Sequence, residues 1–175
     1  KTLLLMNYLF PIGFYIIIGT IMPKLNPLYG ELLIPSMMMF SILVSTVLGM
    51  PNNLVTYRNN GIFRSYKING VSKLSMLAIP AISTIIHTLI VTTIILVSSP
   101  ILFKAELPSN ILGLILVFVA STITFVGLAL LIGVIADNTS TTVIYAQALF
   151  LPSMLIGGLM FPSNLLPGSI EVFSK

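Results

Sequence analysis

Residues 111–136 read ILGLILVFVASTITFVGLALLIGVIA, a run of apolar and small side chains in which no residue is charged. About 20 predominantly apolar residues are enough for a helix to cross the hydrocarbon core of a bilayer. The run is therefore long enough to span a membrane as one helix. Four further uncharged stretches of comparable length flank it in the chain, at residues 2–23, 32–57, 74–103 and 138–170.

The overall composition agrees with these stretches. Of the 175 residues, 8 are Lys or Arg and 4 are Asp or Glu, which makes 7% charged, and 57% are hydrophobic. Soluble domains carry about 25% charged residues, so the composition excludes a water-soluble globular enzyme. The chain contains no cysteine, which excludes a disulfide framework, a zinc-thiolate site and a covalently attached haem.

Five membrane-spanning helices are predicted, near residues 3–22, 32–50, 74–98, 111–136 and 142–160. The runs are too long and too uniformly apolar for the alternating strands of a barrel, so the predicted fold is an all-α polytopic membrane protein. We expect Pro23 and Pro51 to end the first two spans. Pro11, Pro80 and Pro152 fall inside spans and are expected to bend them.

The distribution of basic residues predicts the orientation. Arg58, Arg64, Lys67 and Lys73 lie between the second and third spans, in a segment without an acidic residue. Short loops rich in Lys and Arg stay in the cytoplasm. This places the N-terminus in the cytoplasm and the end of the fifth span outside. Because the basic cluster is explained by topology, we expect no nucleic-acid partner.

The same segment contains a short amphipathic helix, predicted at residues 60–68. At 100° per residue, Ile62, Phe63 and Tyr66 form one apolar face, and Arg64 and Lys67 lie on the opposite face. Two roles are open from the residues alone. The helix either rests on anionic lipid headgroups, or it is the contact to which a cytosolic partner binds in order to move the spans on either side.

Three stretches resemble the membrane subunit of an ABC-2 type transporter, the permease class that includes drug, antibiotic and polysaccharide exporters. They are NYLFPIGFYIIIG at residues 7–19, YRNNGIFRSYKINGVSK at residues 57–73 and GGLMFPSNLLP at residues 157–167. The resemblance covers nearly the whole chain. It implies one transmembrane domain over residues 1–175, with five of the family's six helices present and the N-terminal interfacial helix and the sixth span missing. It also implies a short extracellular re-entrant helical region at FPSNLLPGSIEVF, residues 161–173.

The resemblance implies that the amphipathic segment is the coupling helix that docks on an ATPase subunit. The residues carried over to this contact are Gly61, Ile62, Phe63, Arg64, Tyr66 and Lys67. The chain itself has no G-x-x-x-x-G-K-[ST] loop to cradle phosphates. We therefore expect no enzymatic activity and no cofactor in this chain, with ATP and Mg²⁺ bound by a cytosolic ABC ATPase partner.

In the organisation that the resemblance implies, a second permease subunit, identical or different, faces the first in a bacterial plasma membrane. The path for the substrate would run between the two subunits, mainly along spans one, two and five. Drug-like, antibiotic, lipid-like and polysaccharide cargoes all fit the family. The apolar spans without fixed charges favour amphiphilic cargo over small ions.

Two other functional classes are open from the residues, intramembrane catalysis and transport that is not driven by ATP. His87 lies midway along the third span, where an ionisable group is a candidate for function. No protease motif accompanies it, so we expect a neutral histidine that bonds a Ser or Thr of a neighbouring helix. The second alternative is a secondary transporter or channel not driven by ATP. Glu31, Glu106 and Asp137 all fall at predicted span ends, where such carriers do not place their coupling carboxylates.

Overall fold

The computed structural model describes residues 5–25 and 29–156, and these are helical apart from short turns, with no strand among them. Two helices contain a π-helical turn. The π turn Leu5–Leu9 leads into Phe10–Leu25 to form α1, and Tyr29–Leu43, the π turn Val44–Gly49 and Met50–Asn59 form α2. The remaining helices are α3 (Ile62–Ile68), α4 (Lys73–Phe103), α5 (Ile111–Ile135) and α6 (Thr139–Ile156).

The all-helical fold expected from the sequence is confirmed for the described residues. Four helical segments are long and apolar enough to cross a membrane, namely Asn7–Leu25, Tyr29–Asn59, Lys73–Phe103 and Ile111–Ile135. The fifth predicted span, residues 142–160, overlaps α6 as far as Ile156, but α6 is not among these four segments, so a fifth span stays a prediction. Its last residues, together with the GGLMFPSNLLP segment at residues 157–167, lie outside the described part of the chain.

Helix α2 is the central helix of the bundle. In the most apolar 18-residue stretch of α2, 72% of the residues are buried. The corresponding stretches of the other three candidate spans are 22–28% buried. The reason is that α1, α4, α5 and α6 all pack against it. Each of the three apolar clusters of the core contains residues of α2. Met37 and Met38 belong to the first cluster, where they act as core packing.

The prediction that Pro23 and Pro51 end the first two spans is wrong. Helix α1 continues to Leu25, and α2 continues through Pro51 to Asn59. Only Met50 separates Pro51 from the π turn Val44–Gly49, where the hydrogen-bond register changes and the proline's missing N–H is more easily accommodated. The second span is therefore about two turns longer than expected, and it reaches almost to α3.

Helices α2 and α5 approach each other closely at Gly133. A Cβ atom built on Gly133 would lie 2.6 Å from Cδ1 and 3.0 Å from Cβ of Leu54. Small residues at such positions let the backbones of membrane helices come together. Gly133 and Phe63 of α3 line the same small cavity, so the contact lies at the end of the bundle that is near α3.

We predict that Gly133→Ile lowers the stability of the subunit by about 1–3 kcal/mol, because the added side chain overpacks the contact with Leu54. Gly127→Ile is the matched control, since a Cβ atom at Gly127 meets nothing within 4 Å. Thermal unfolding in detergent measures the difference. Equal melting temperatures for the two variants would show that the α2–α5 contact does not need a small residue.

Candidate coupling site

Helix α3 is held between two glycines in the left-handed region. Gly61, directly before it, has φ +72°, and Gly70, just after it, has φ +78°. Side chains other than glycine rarely adopt these angles, so the reversals at both ends depend on glycine. At the second end the N–H of Val71 donates to the carbonyl of Tyr66 at 3.0 Å, and the N–H of Gly70 donates to that of Lys67 at 3.2 Å. This pair of bonds is a Schellman motif, which stops the helix sharply.

The basic face predicted for α3 is present, and the apolar face is present for Ile62 and Phe63 but not for Tyr66. Arg64 and Lys67 are exposed, whereas Ile62 and Phe63 are half-buried. Phe63 packs against the apolar cluster that contains Met50 and Leu54 of α2. The basic face is thus free to meet another molecule while the apolar face holds α3 on the spans.

Phe63 also makes an edge-to-face contact with the ring of Tyr57 in α2, with 6.3 Å between ring centroids. Tyr66 was predicted to share the apolar face, but 40% of it remains exposed. The packing of α3 on the spans therefore rests more on Phe63 than on Tyr66.

A cavity of about 240 Å³ separates part of α3 from the spans. Its walls come from the end of α2, from α3 and from the first third of α4. The lining residues are Met50, Asn53, Tyr57, Ile62, Phe63, Tyr66, Met76, Ile79, Pro80, Ser83 and Thr84. We call this space the α3 cavity.

Arg58 has a structural role that the sequence analysis missed. Its guanidinium donates to the carbonyl of Val134 at 3.2 Å and also to the carbonyl of Ala136. These carbonyls belong to the last turn of α5 and the residue just after it, where a helix has unpaired acceptors and a partial negative charge. Arg58 therefore ties the end of α2 to the end of α5. The two carbonyls lie 76 and 78 positions from Arg58 in the sequence, so no local pattern indicates this contact.

We predict that Arg58→Gln destabilises the subunit by about 1–2 kcal/mol, because the charged donor to the end of α5 is lost. Arg64→Gln is the matched control, since Arg64 is exposed on α3. Thermal unfolding of both variants in the same detergent measures the effect. If Arg64→Gln lowers the melting temperature as much as Arg58→Gln, the bond to α5 is not what stabilises the bundle.

His87 bonds a tyrosine, where the sequence analysis expected a serine or threonine. The hydroxyl of Tyr8 in α1 lies 2.5 Å from Nδ1 of His87 in α4, and the two rings meet edge to face. A second tyrosine of α1, Tyr15, makes hydrogen bonds of 2.8 Å with Ser98 and 3.0 Å with Ser99. Helices α1 and α4 thus run parallel, as expected for the first and third spans of a membrane bundle. Within the described residues no group of three potential metal ligands surrounds His87 or any other site.

The comparison with known families agrees with the architecture. The sequence model of the family described as ABC-2 type transporter matches residues 1–175. No curated protein and no solved structure matches the chain.

Proposed function

Because the chain belongs to the ABC-2 type transporter family, we propose that it is the permease subunit of an ATP-driven exporter and that α3 is its coupling helix. Members of this family normally work with an ATPase partner. In the proposal the partner binds ATP and Mg²⁺ and hydrolyses the nucleotide in the cytosol. This chain supplies the path through the membrane.

The observation that carries the proposal is the connection of α3 to the central helix. Only Asn60 and Gly61 separate α3 from α2. A force on the exposed face with Arg64 and Lys67 would therefore reach the helix against which all the other spans pack. A helix that merely rested on lipid headgroups would not need this arrangement.

The proposed mechanism follows from the contacts. Closure of the ATPase subunits pushes α3 toward the membrane, and Phe63 transmits the push to Met50 and Leu54 of α2. The α3 cavity allows α3 and the start of α4 to approach each other during this step. The contact of α2 with α5 and Arg58's bonds to the end of α5 carry the movement further into the bundle.

The assembly and the path follow the family pattern in this proposal. A second permease subunit, identical or different, faces the first in a bacterial plasma membrane, with the N-terminus and α3 on the cytoplasmic side. Helix α2 has little surface left to line the path, since it is largely buried within its own subunit. Of the three spans expected to line it, α1 and α6 remain. The cargo is a drug-like, antibiotic, lipid-like or polysaccharide substrate, and the apolar spans favour an amphiphilic one.

The alternative is a secondary transporter or channel not driven by ATP. Glu31, Glu106 and Asp137, the acidic residues within the described part of the chain, are all exposed. Ion-coupled carriers bind their coupling ion near the middle of the membrane, often at buried carboxylates. The positions of these carboxylates therefore favour the ATP-driven permease.

Purification of the full-length protein from its native membrane in mild detergent tests the proposal. We expect an ATPase subunit with a phosphate-binding loop to copurify in a fixed ratio and to hydrolyse ATP. A preparation that transports after reconstitution in liposomes without any ATPase would overturn the proposal in favour of a carrier or channel.

A further inference from the structure

Four polar side-chain atoms are buried without a hydrogen-bond partner in the part of the chain that the structure describes. They are Nδ2 of Asn7, Oγ of Ser41, Oγ of Ser45 and Oγ1 of Thr88. Their residues are at most 2% exposed. Buried polar groups nearly always have a partner, and in proteins that partner is often an ordered water molecule. We call these four residues the interior polar cluster.

Three of the four residues lie on segments that contact one another. Asn7 is in the π turn of α1, Ser45 is in the π turn of α2, and Thr88 is in the middle of α4. These three segments touch pairwise. The hydrogen bond between Tyr8 and His87 connects the chain neighbours of Asn7 and Thr88. These three residues therefore lie at one level of the bundle, about halfway along α4, and Ser41 lies one helical turn before Ser45 on α2.

Polar residues connect the cluster with the α3 cavity. On α4, Thr84 lines the cavity and lies one helical turn before Thr88. On α2, Asn53 lines the cavity, and steps of four residues lead from it through Gly49 to Ser45. Gly49 adds no side chain that would block this route.

We infer that water enters the subunit from the α3 cavity and binds at the interior polar cluster. The cluster is closed to larger ligands, because its residues are buried within a single chain and neither lipid nor a second subunit reaches them. Its groups are hydroxyls and an amide, which suit water, and it contains no carboxylate to hold a cation. Bridging water replaces direct bonds between α1, α2 and α4, and water-mediated bonds can be remade when these helices shift.

Single cysteines report hydration directly, since the 175 residues contain none. We would place Ser45→Cys or Thr88→Cys in the full-length protein, with any cysteine outside these residues replaced by serine. Ala129→Cys is the control, because Ala129 is 0% exposed but packs in an apolar cluster. After transfer of the reconstituted protein to D₂O, infrared spectroscopy follows conversion of each thiol from S–H to S–D.

We expect the thiols at positions 45 and 88 to exchange at least tenfold faster than the thiol at position 129. Exchange as slow as at position 129, in two variants that elute as folded protein, would overturn the hydrated site. The inference does not rest on the proposed function, and this test needs no ATPase, so the two can fail separately.

A second substitution tests the route. Ser83 lines the α3 cavity, so Ser83→Phe fills part of it, while the neighbouring Ile82 is exposed on the outside of α4 and Ile82→Phe is the control. In the Thr88→Cys background we expect Ser83→Phe to slow exchange at least tenfold and Ile82→Phe to leave it unchanged. Equal exchange in the two double variants would show that water does not enter through the α3 cavity.

Discussion

Reversing the charges of Arg64 and Lys67 together should release the ATPase partner while the permease stays folded. Both side chains are exposed on α3, so their replacement removes no packing from the bundle. In the proposed complex they face acidic groups of the ATPase, and like charges brought together at an interface cost several kcal/mol. We expect the double variant Arg64→Glu/Lys67→Glu to bind the ATPase at least about thirtyfold more weakly, which corresponds to about 2 kcal/mol.

The matched control is Lys24→Glu/Lys104→Glu. It changes the net charge by the same amount, and both lysines are exposed at the opposite end of the bundle. Copurification and titration of the ATPase against each reconstituted variant measure the difference. If the variant at positions 64 and 67 binds the ATPase as well as the control does, these two residues are not the docking contact.

The second large effect is expected for Phe63→Ala. This variant should still bind the ATPase, but it should pass less of the ATPase's movement to the spans. Phe63 is the α3 side chain that packs into the core cluster of Met50 and Leu54. Phe63→Ala removes most of that contact, and truncating a fully buried phenylalanine costs about 3–5 kcal/mol. Phe63 is half-buried, so we expect a smaller loss of stability together with at least a tenfold fall in substrate transported per ATP hydrolysed.

The readout is the ratio of transport to ATP hydrolysis in proteoliposomes, with ATPase binding measured in parallel. Ser65→Ala is the control, because Ser65 is exposed on the same short helix. Normal binding with a reduced ratio in Phe63→Ala would support the transmission role. An unchanged ratio would show that the movement of α3 reaches the spans by another contact.

The spans and the short helix were predictable because hydrophobic length and amphipathic spacing are local properties. The uncharged stretches correspond to the long helices, and residues 60–68 contain α3 with its basic face exposed. The end of the second span was not predictable from Pro51. A π turn just before the proline changes the hydrogen-bond register, and no residue type marks such a turn reliably.

Most of the contacts that shape the candidate site could not be predicted from the sequence. The basic cluster was interpreted as a topology signal, but the bonds of Arg58 to α5 depend on where two helices end in space. The tyrosine partner of His87 lies 79 positions away. The central place of α2 was not visible either, since its composition resembles that of the other spans and only packing distinguishes it.

Site-specific photo-crosslinking in the native membrane tests the central claim most directly. A photoreactive amino acid would replace Ser65 on α3 or, as the control, Ser109, which is exposed in the loop between α4 and α5. We predict that position 65 crosslinks to an ATPase with a phosphate-binding loop and that position 109 does not. Crosslinks from position 65 to lipid alone, in cells that contain the active transporter, would contradict the account and leave α3 as an interfacial helix.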